Sequence, residues 1–350
     1  MATLKNGSSP SKGLNANLVL QTLLEMKTAT RKQLAARTGL SQPTVNAIVQ
    51  ELEHNGVVRP GNFAVSAGGR RPKCYILQTE DLRAALVRVL PQGLEHAVLT
   101  ADGEVIRRNV WPLTPADSIL ETLQVLLQTL MKQDDDIRVI SIGVPGVVGP
   151  GGALYAIPEI PCLEGVALGH VLEGQLKIPV HVENDMNLVA LGSAASGMGE
   201  SYSDMVFMHI GKSVGAGIVM GGRIIRGFSS FAGETAYMVK EVGTKRDGET
   251  LEHLLKQAEG IPQKAQLIAS LVINIICLLN PPVISFSGSL ASEEMLRHLR
   301  HLCEHYLPLW TLPVFQLMTD ERTAYERGLL ISVRDVLTEV QLGRARGNTW

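Results

Sequence analysis

The chain has 350 residues, 45% of them apolar and 4% aromatic, with 32 basic and 34 acidic side chains and a net charge of −2. That length is too great for one small domain and enough for two or three, and the apolar content supports a sizeable core. Residues 1–78 carry ten basic and three acidic side chains, so a head of +7 precedes a body of −9, which confines any polyanion binding to the head.

The N-terminal stretch MATLKNGSSPSKG is polar and has no apolar signal core, so a cytoplasmic protein is expected. Ala16, Val19, Leu20, Leu23 and Leu24 recur at helical spacing and predict a helix beginning near Asn15. Thr30-Arg31-Lys32-Gln33 reads as a capping box that opens a short helix over 31–38, and Gly39 ends it. Ser41 caps a third helix, with Pro43 tolerated in its first turn. In that helix Val45, Ile48, Val49 and Leu52 form the buried stripe. The other side presents Ser41, Gln42, Thr44, Asn46, Ala47 and Gln50, amide-bearing or small groups suited to base edges. Two short strands, at 57–58 and 75–77, flank Gly68-Gly69-Arg70-Arg71-Pro72. Glycines allow a tight wing tip, and Gly69, Arg70 and Arg71 are placed to meet phosphates or a minor groove. Spacing, polar face, wing tip and local charge together describe a DNA-reading winged helix-turn-helix. The plainer alternative is a protein-binding helical module with solvated charges.

The body begins near residue 79. Strands are expected at 84–90, 97–100 and 104–111, then a helix over 117–132 started by Asp117. Asp134-Asp135-Asp136 reads as a solvated acidic loop. A strand over 138–144 follows, then a helix over 164–176, a strand over 179–183 and a helix over 186–196. A second set has strands at 205–210, 216–220 and 223–226, a helix over 262–279, a strand at 282–287, a helix over 292–305, a strand at 314–318 and a final helix over 324–338. The apolar run 265–279 is too short to span a bilayer and reads as a buried helix. Cys74, Cys162, Cys277 and Cys303 lie far apart and read as buried reduced thiols. Two successive strand-helix sets argue for two α/β lobes with a cleft between them.

The runs Ser141–Gly146 (SIGVPG), Pro179–Asn187 (PVHVENDMN), Gly211–Gly217 (GKSVGAG) and Arg226–Met238 (RGFSSFAGETAYM) resemble the ROK family of sugar kinases and sugar-responsive repressors. The resemblance covers essentially residues 15–340. It implies an α/β fold with an N-terminal winged helix-turn-helix and a two-lobed actin-like body. The divisions are then a head over 1–78, lobes over 79–198 and 199–319, and a C-terminal helix in 320–350 that packs back on the first lobe. It also implies a homodimer or tetramer on palindromic double-stranded DNA, a sugar or sugar-phosphate effector, and no membrane. Asn184, Asp185 and Glu234 match the family's sugar contacts, and Tyr237 replaces a family histidine near the sugar. In the kinases the residue matching Asp185 is the general base; the bland alternative is that Asp185 caps the helix after it.

Other positions depart from the kinase pattern. Residues 87–93 (VRVLPQG) lack the aspartate of the first phosphate loop, and Pro91 removes an amide donor. Gly211-Lys212-Ser213 and Ser287-Gly288 alter two further glycine-rich loops, where Lys212 is either an anion contact or an exposed lysine. Phosphoryl transfer rests on positioning and charge neutralisation, so a non-catalytic body is expected, with Asp185 a vestigial base. Residues 238–249 contain no cysteine or histidine, so no zinc is expected, and no cofactor. Three readings follow: a repressor sensing a carbohydrate-type ligand, a regulator whose body only dimerises or binds protein, and an active sugar kinase with a DNA-binding head.

Overall fold

The computed structural model describes residues 10–63, 72–79, 81–114, 117–195, 202–211, 213–239, 250–334, 336–338 and 340. The head comprises α1 (Pro10–Met26), β1 (Ala29–Thr30), α2 (Arg31–Thr38), α3 (Gln42–His54), β2 (Val58–Phe63) and β3 (Lys73–Leu77), with the strands in the order β1-β3-β2. The capping box forms as expected: Thr30 Oγ1 accepts from the Gln33 amide at 3.2 Å, and Gln33 Oε1 accepts from the Thr30 amide at 2.9 Å. Gly39 takes φ +71° at the end of α2, a left-handed position that suits a residue without Cβ. Ser41 Oγ accepts from the Thr44 amide and starts α3. Helix α1 begins earlier than its apolar stripe indicates: Leu14, in its second turn, is 70% exposed, and periodicity marks only the packed part of a helix.

The body repeats one topology. Its first half runs β4 (Arg83–Leu90), β5 (Gly93–Thr100), β6 (Val105–Pro112), α4 (Ile119–Gln133), β7 (Ile137–Val144), a small hairpin of β8 (Val147–Val148) and β9 (Leu154–Tyr155), α5 (Leu168–Leu176), β10 (Val180–Asn184) and α6 (Asp185–Ala194). The second half runs β11 (Met205–Ile210), β12 (Val214–Met220), β13 (Arg223–Ile224), α7 (Leu251–Gln257), α8 (Gly260–Leu279), β14 (Val283–Ser287), α9 (Glu293–Tyr306), β15 (Val314–Leu317) and α10 (Glu321–Ser332). The sheets are ordered β10-β7-β4-β5-β6 and β13-β12-β11-β14-β15. In each, an antiparallel meander of three strands continues into two parallel crossovers.

The last helix of each half packs on the other half. Helix α6 packs on β11 and β12, whereas α10 packs on β4 and β7. The two helices also cross each other closely. A Cβ on Gly192 would lie 1.8 Å from the Ala324 carbonyl oxygen, and one on Gly328 would lie 1.9 Å from the Leu188 carbonyl oxygen. Only glycine permits this separation.

Several details depart from the sequence reading. Ser118, not Asp117, caps α4; Asp117 instead accepts from the Thr114 amide and hydroxyl. Asp134 is not solvated: it is 7% exposed and paired with Arg83 at 2.8 Å and Arg107 at 3.8 Å. Helix α5 starts only at Leu168, because a 3-10 turn at Pro161–Leu163 uses the preceding residues. Helix α7 was not anticipated. The strand after the Gly221-Gly222 turn stops at Ile224, and Arg226 turns toward Glu183. Helix α8 is one-sided rather than buried: Ala265, Ile268, Val272 and Ile276 face the core while Gln266, Ser270 and Asn274 face out. It is long and apolar enough to cross a membrane by length and composition, yet its apolar face is the core of the second half. All four cysteines are free; Cys74 and Cys303 are buried, but Cys162 and Cys277 are exposed. The final helix begins at Glu321, three residues before Ala324, capped by Asp320.

Gly328→Ala is expected to lower the unfolding free energy by about 3 kcal/mol or more, since a methyl there strikes backbone that cannot move alone. Gly174→Ala in α5, where a Cβ meets nothing within 4 Å, is expected to stabilise by about 0.5–1 kcal/mol. Urea titrations of both variants check the contrast.

Candidate functional site

The α3 surface divides as the sequence indicates. Val45, Ile48, Val49 and Leu52 are buried against α1 and α2 in the head core. Ser41, Gln42, Pro43, Ala47 and Gln50 are exposed, and Thr44 and Asn46 are half-buried. Ser41 is committed to capping, its hydroxyl also lying 2.8 Å from Thr44 Oγ1. Gln42, Ala47 and Gln50 remain as outward groups without a structural task. Two of the head's cations are tied down locally: Lys73 pairs with Glu53 at 2.6 Å and Arg31 lies over the Tyr75 ring at 5.0 Å. Gly69, Arg70 and Arg71 lie outside the described residues, as does Lys212.

The second site follows from the sheet topology. Parallel strands point their carboxyl ends into the crevice where α/β proteins bind ligands. The strand ends here bring together Arg88 from β4, Asn184 and Asp185 at the β10–α6 junction, His209 from β11 and Ser287 from β14. Glu321, the first residue of α10, completes the group.

Asn184, not Asp185, caps α6: its Oδ1 accepts from the Asn187 amide at 3.0 Å while its Nδ2 donates to the Gly146 carbonyl at 2.8 Å. One amide hydrogen is left for a ligand. Glu183, at 3% exposure, organises the turn. Its Oε1 accepts from the Asn184 amide and from Asn187 Nδ2, and its Oε2 accepts from Arg226 Nε at 2.9 Å and Nη2. Arg226 follows β13, so this pair fastens the second half's 225–237 segment to the first half.

Asp185 is free of capping duty. Among the described residues its carboxylate accepts only from the neighbouring Met186 amide, at 2.8 Å. Burial pushes its carboxyl from 3.8 up to about 7; the Arg88 charge opposes this, while Glu321 and Glu234 add to it. Glu234 is likewise raised by burial; no hydrogen bond or ion pair to its carboxylate occurs among the described residues. Tyr237 is 53% exposed, its ring tilted against that of Phe231 with centroids 5.1 Å apart.

The sequence reading missed Arg88, His209 and Glu321. Arg88 lies 4.6 Å over the Tyr325 ring and 3.5 Å from Glu321. His209 Nδ1 is 3.2 Å from Ser287 Oγ and 4.0 Å from Glu321; burial lowers its pKa, and Arg88 lowers it further, against the pull of Glu321. A signal was present: each half carries a polar side chain near the carboxyl end of a largely apolar strand, Arg88 in RAALVRVL and His209 in MVFMHI. Where the family resemblance places the first phosphate loop, β4 and β5 instead close a tight hairpin, with Leu90 paired to Gly93.

The ROK family pattern matches residues 92–250 and a winged helix-turn-helix DNA-binding pattern matches residues 18–59. The chain thus carries a ROK family domain behind a winged helix-turn-helix. It is 28% identical to a xylose repressor of Caldicellulosiruptor bescii, over 65% of this chain and 58% of that one. It is 24% identical to the DNA-binding transcriptional dual regulator NagC of Escherichia coli, over 66% of this chain and 58% of that one. The chain thus spans less than two thirds of the length of these curated relatives. A crystal structure of a ROK family transcriptional regulator, a homologue of the E. coli MLC protein, superposes with a TM-score of 0.77 over 95% of this chain at 18% identity. The fold is therefore the ROK one: a winged helix-turn-helix ahead of a two-lobed body.

Asp185 binds its proton more tightly folded than unfolded, so its contribution is fully present below the unfolded pKa and is lost as pH rises through about 7. Asp185→Asn keeps the acceptor and removes the charge. It is expected to be more stable than the parent at about pH 8, by as much as about 4 kcal/mol, with the difference vanishing near pH 4. Denaturant midpoints across that range check it; an equal gain at both ends contradicts the assignment.

Proposed function

We propose that this ROK protein is a DNA-binding transcriptional regulator, a repressor, whose body senses a carbohydrate-type ligand and transfers no phosphate. The observation that carries the DNA half is the outward face of α3. Gln42 and Gln50 each offer an amide that pairs bidentately with adenine, and the Ala47 methyl suits a thymine methyl. These groups stand exposed on a helix whose other face is locked into the head core. The +7 charge of residues 1–78 supplies the phosphate attraction. The similarity to the xylose repressor and to NagC supports the same reading. Two copies on a palindromic operator, in the cytoplasm, complete it.

The cleft supports sensing over catalysis. Asp185 keeps the position and the raised pKa of a base. Strand β4, however, presents Arg88 within the stretch that the family resemblance matches to the kinases' first phosphate loop, and Glu321 lies 3.5 Å from that arginine. Transferring a phosphoryl group needs its charge neutralised and its line of attack fixed; a carboxylate in that position does neither.

Gln50→Ala is expected to reduce discrimination between the preferred operator base and its alternatives by about tenfold, since one bidentate contact is worth about 1–3 kcal/mol. Competition binding with single-base operator variants measures it. Incubated with ATP, magnesium and a panel of hexoses, the full chain is expected to release no sugar phosphate above background. Turnover removed by Asp185→Asn would establish a kinase instead.

A further inference from the structure

Aromatic residues make up 4% of the chain, yet Phe228, Phe231 and Tyr237 fall within a single stretch of ten residues. The cores do not account for this concentration: Phe207 and Phe286 are buried in them, whereas Phe228 is fully exposed and Phe231 is 45% exposed. Apolar surface left in water is unfavourable, and clustered exposed rings mark a place that something else covers. The backbone presents two of these rings together. The Glu234 amide donates to the Phe231 carbonyl at 3.3 Å, and the Tyr237 amide donates to the Glu234 carbonyl at 3.2 Å. Successive turns of this kind bring side chains three positions apart to one side. The Phe231 and Tyr237 planes are inclined at 54°, so they form a wedge in which neither ring covers the other's face. The segment is also held firmly. A Cβ on Gly233 would lie 2.1 Å from the Ala216 carbonyl oxygen, and the Ala216 amide donates to the Gly233 carbonyl at 2.9 Å. Arg226, at its start, is tied to buried Glu183. Ser230 keeps φ +61° although it ends no helix, unlike Lys177 and Asn280, which cap α5 and α8; backbone in that region gathers where function fixes it. Hydrogen-bonding groups stand beside the rings. Glu234 is near enough to Asp185 for its charge to help raise that carboxyl's pKa. Thr235, 6% exposed, has a buried hydroxyl with no hydrogen-bond partner among the described residues.

We infer that Phe231 and Tyr237 form a stacking subsite next to Glu234, and that the effector is a glycoside whose second ring, a sugar or an aryl group, lies on them. This rests on the reading of the body as a carbohydrate sensor and sets the size of its ligand at two rings rather than one. Aromatic faces are electron-rich and attract the C–H groups on the face of a pyranose or the edge of an aryl ring. Hydroxyls at the edge of the same ligand meet Glu234 and Thr235, which can accept or donate to them. The rings join the crevice through Glu234, and that continuity with Asp185 favours a small saccharide over a protein partner. A platform already fixed by its backbone loses little freedom when the ligand arrives.

The test titrates the full chain by calorimetry. The ligands are glucose, xylose and N-acetylglucosamine, their methyl glycosides, their phenyl glycosides, and the disaccharides cellobiose, maltose, xylobiose and chitobiose. At least one two-ring glycoside is expected to bind about tenfold or more tighter than its parent monosaccharide, the scale of one well-placed aromatic contact. The methyl glycosides are expected to show no such gain, and disaccharides against phenyl glycosides separate the two kinds of second ring. Phe231→Ala is expected to erase the gain while leaving the monosaccharide's affinity in place. Phe231→Leu, which keeps apolar bulk at this exposed position and so protects the fold, is expected to lose the gain as well, and Phe231→Tyr to retain it. A monosaccharide binding as tightly as every glycoside, or a gain that survives in both Phe231→Ala and Phe231→Leu, overturns the subsite and leaves the sugar sensor standing. A changed sedimentation mass in Phe231→Ala with unchanged saccharide affinities assigns the rings to a contact between copies and also overturns it. No binding by any saccharide, with operator binding intact, overturns both.

Discussion

The exchange of terminal helices between the two halves of the body governs everything built on it. Helix α6 ends the first half and packs on the second sheet; α10 ends the second half and packs on the first. Neither sheet has a complete core without the helix of the other. The exchange is possible only because Gly192 and Gly328 let the helices cross at backbone distance. One consequence is geometric. The N-termini of α6 and α10 come to the same crevice, delivering Asp185 and Glu321 to neighbouring positions. A second is energetic: the halves cannot separate without exposing Leu188, Tyr325 and Leu329, all fully buried. Relative motion of the halves is therefore a rotation about the crossing rather than a separation.

That crevice is electrostatically strained in a way structural ion pairs are not. Asp134 illustrates the ordinary solution, a buried carboxylate held by Arg83 and Arg107. Glu183 shows it again, with Asn184, Asn187 and Arg226 donating to its oxygens. Among the described residues Asp185 and Glu234 have no such cationic partners in contact, and burial pushes both toward protonation. The two pairs differ in satisfaction, and so in task. The satisfied pair holds the crevice in shape, and the unsatisfied pair is left to meet something that enters it.

Local rules made much of the head legible. The Thr30–Gln33 box, Gly39 and Ser41 bound α2 and α3 within a residue, because each acts through atoms three or four positions apart. The body's strands were legible as apolar runs, and Asp185 and Glu234 through their resemblance to the family. What escaped depends on contacts distant in the chain. Asp134 looks solvated until Arg83, 51 residues away, is beside it. Arg88 looks like a strand-edge arginine until α10 returns, 233 residues later, to set Glu321 against it. Gly192 and Gly328 carry no local turn, so their role appears only when two helices meet. Ser118 and Asp117 differ by one position and both suit a cap; the choice fell to Thr114, whose amide and hydroxyl take Asp117 away.

The crossing also bears on how a crevice can address a DNA-reading head. Helix α10 starts in the crevice at Glu321. The segment beyond it places Val333, Leu337 and Val340 in one continuous core with Val19, Leu20, Leu23 and Leu24 of α1. Arg334, mostly buried there, feels the charge of Glu25 on α1. Close-packed contacts of this kind transmit small displacements instead of absorbing them. Useful coupling between two sites amounts to about 1–3 kcal/mol. The Arg88–Glu321 pair, 3.5 Å apart and partly exposed, is worth at most about 1 kcal/mol, the lower end of that range. The start of α10 and the head are thus joined by one packed path. The strand-end cation Arg88 and the helix-end carboxylate Glu321 thus stand at one end of a packed path that leads along α10 to the head.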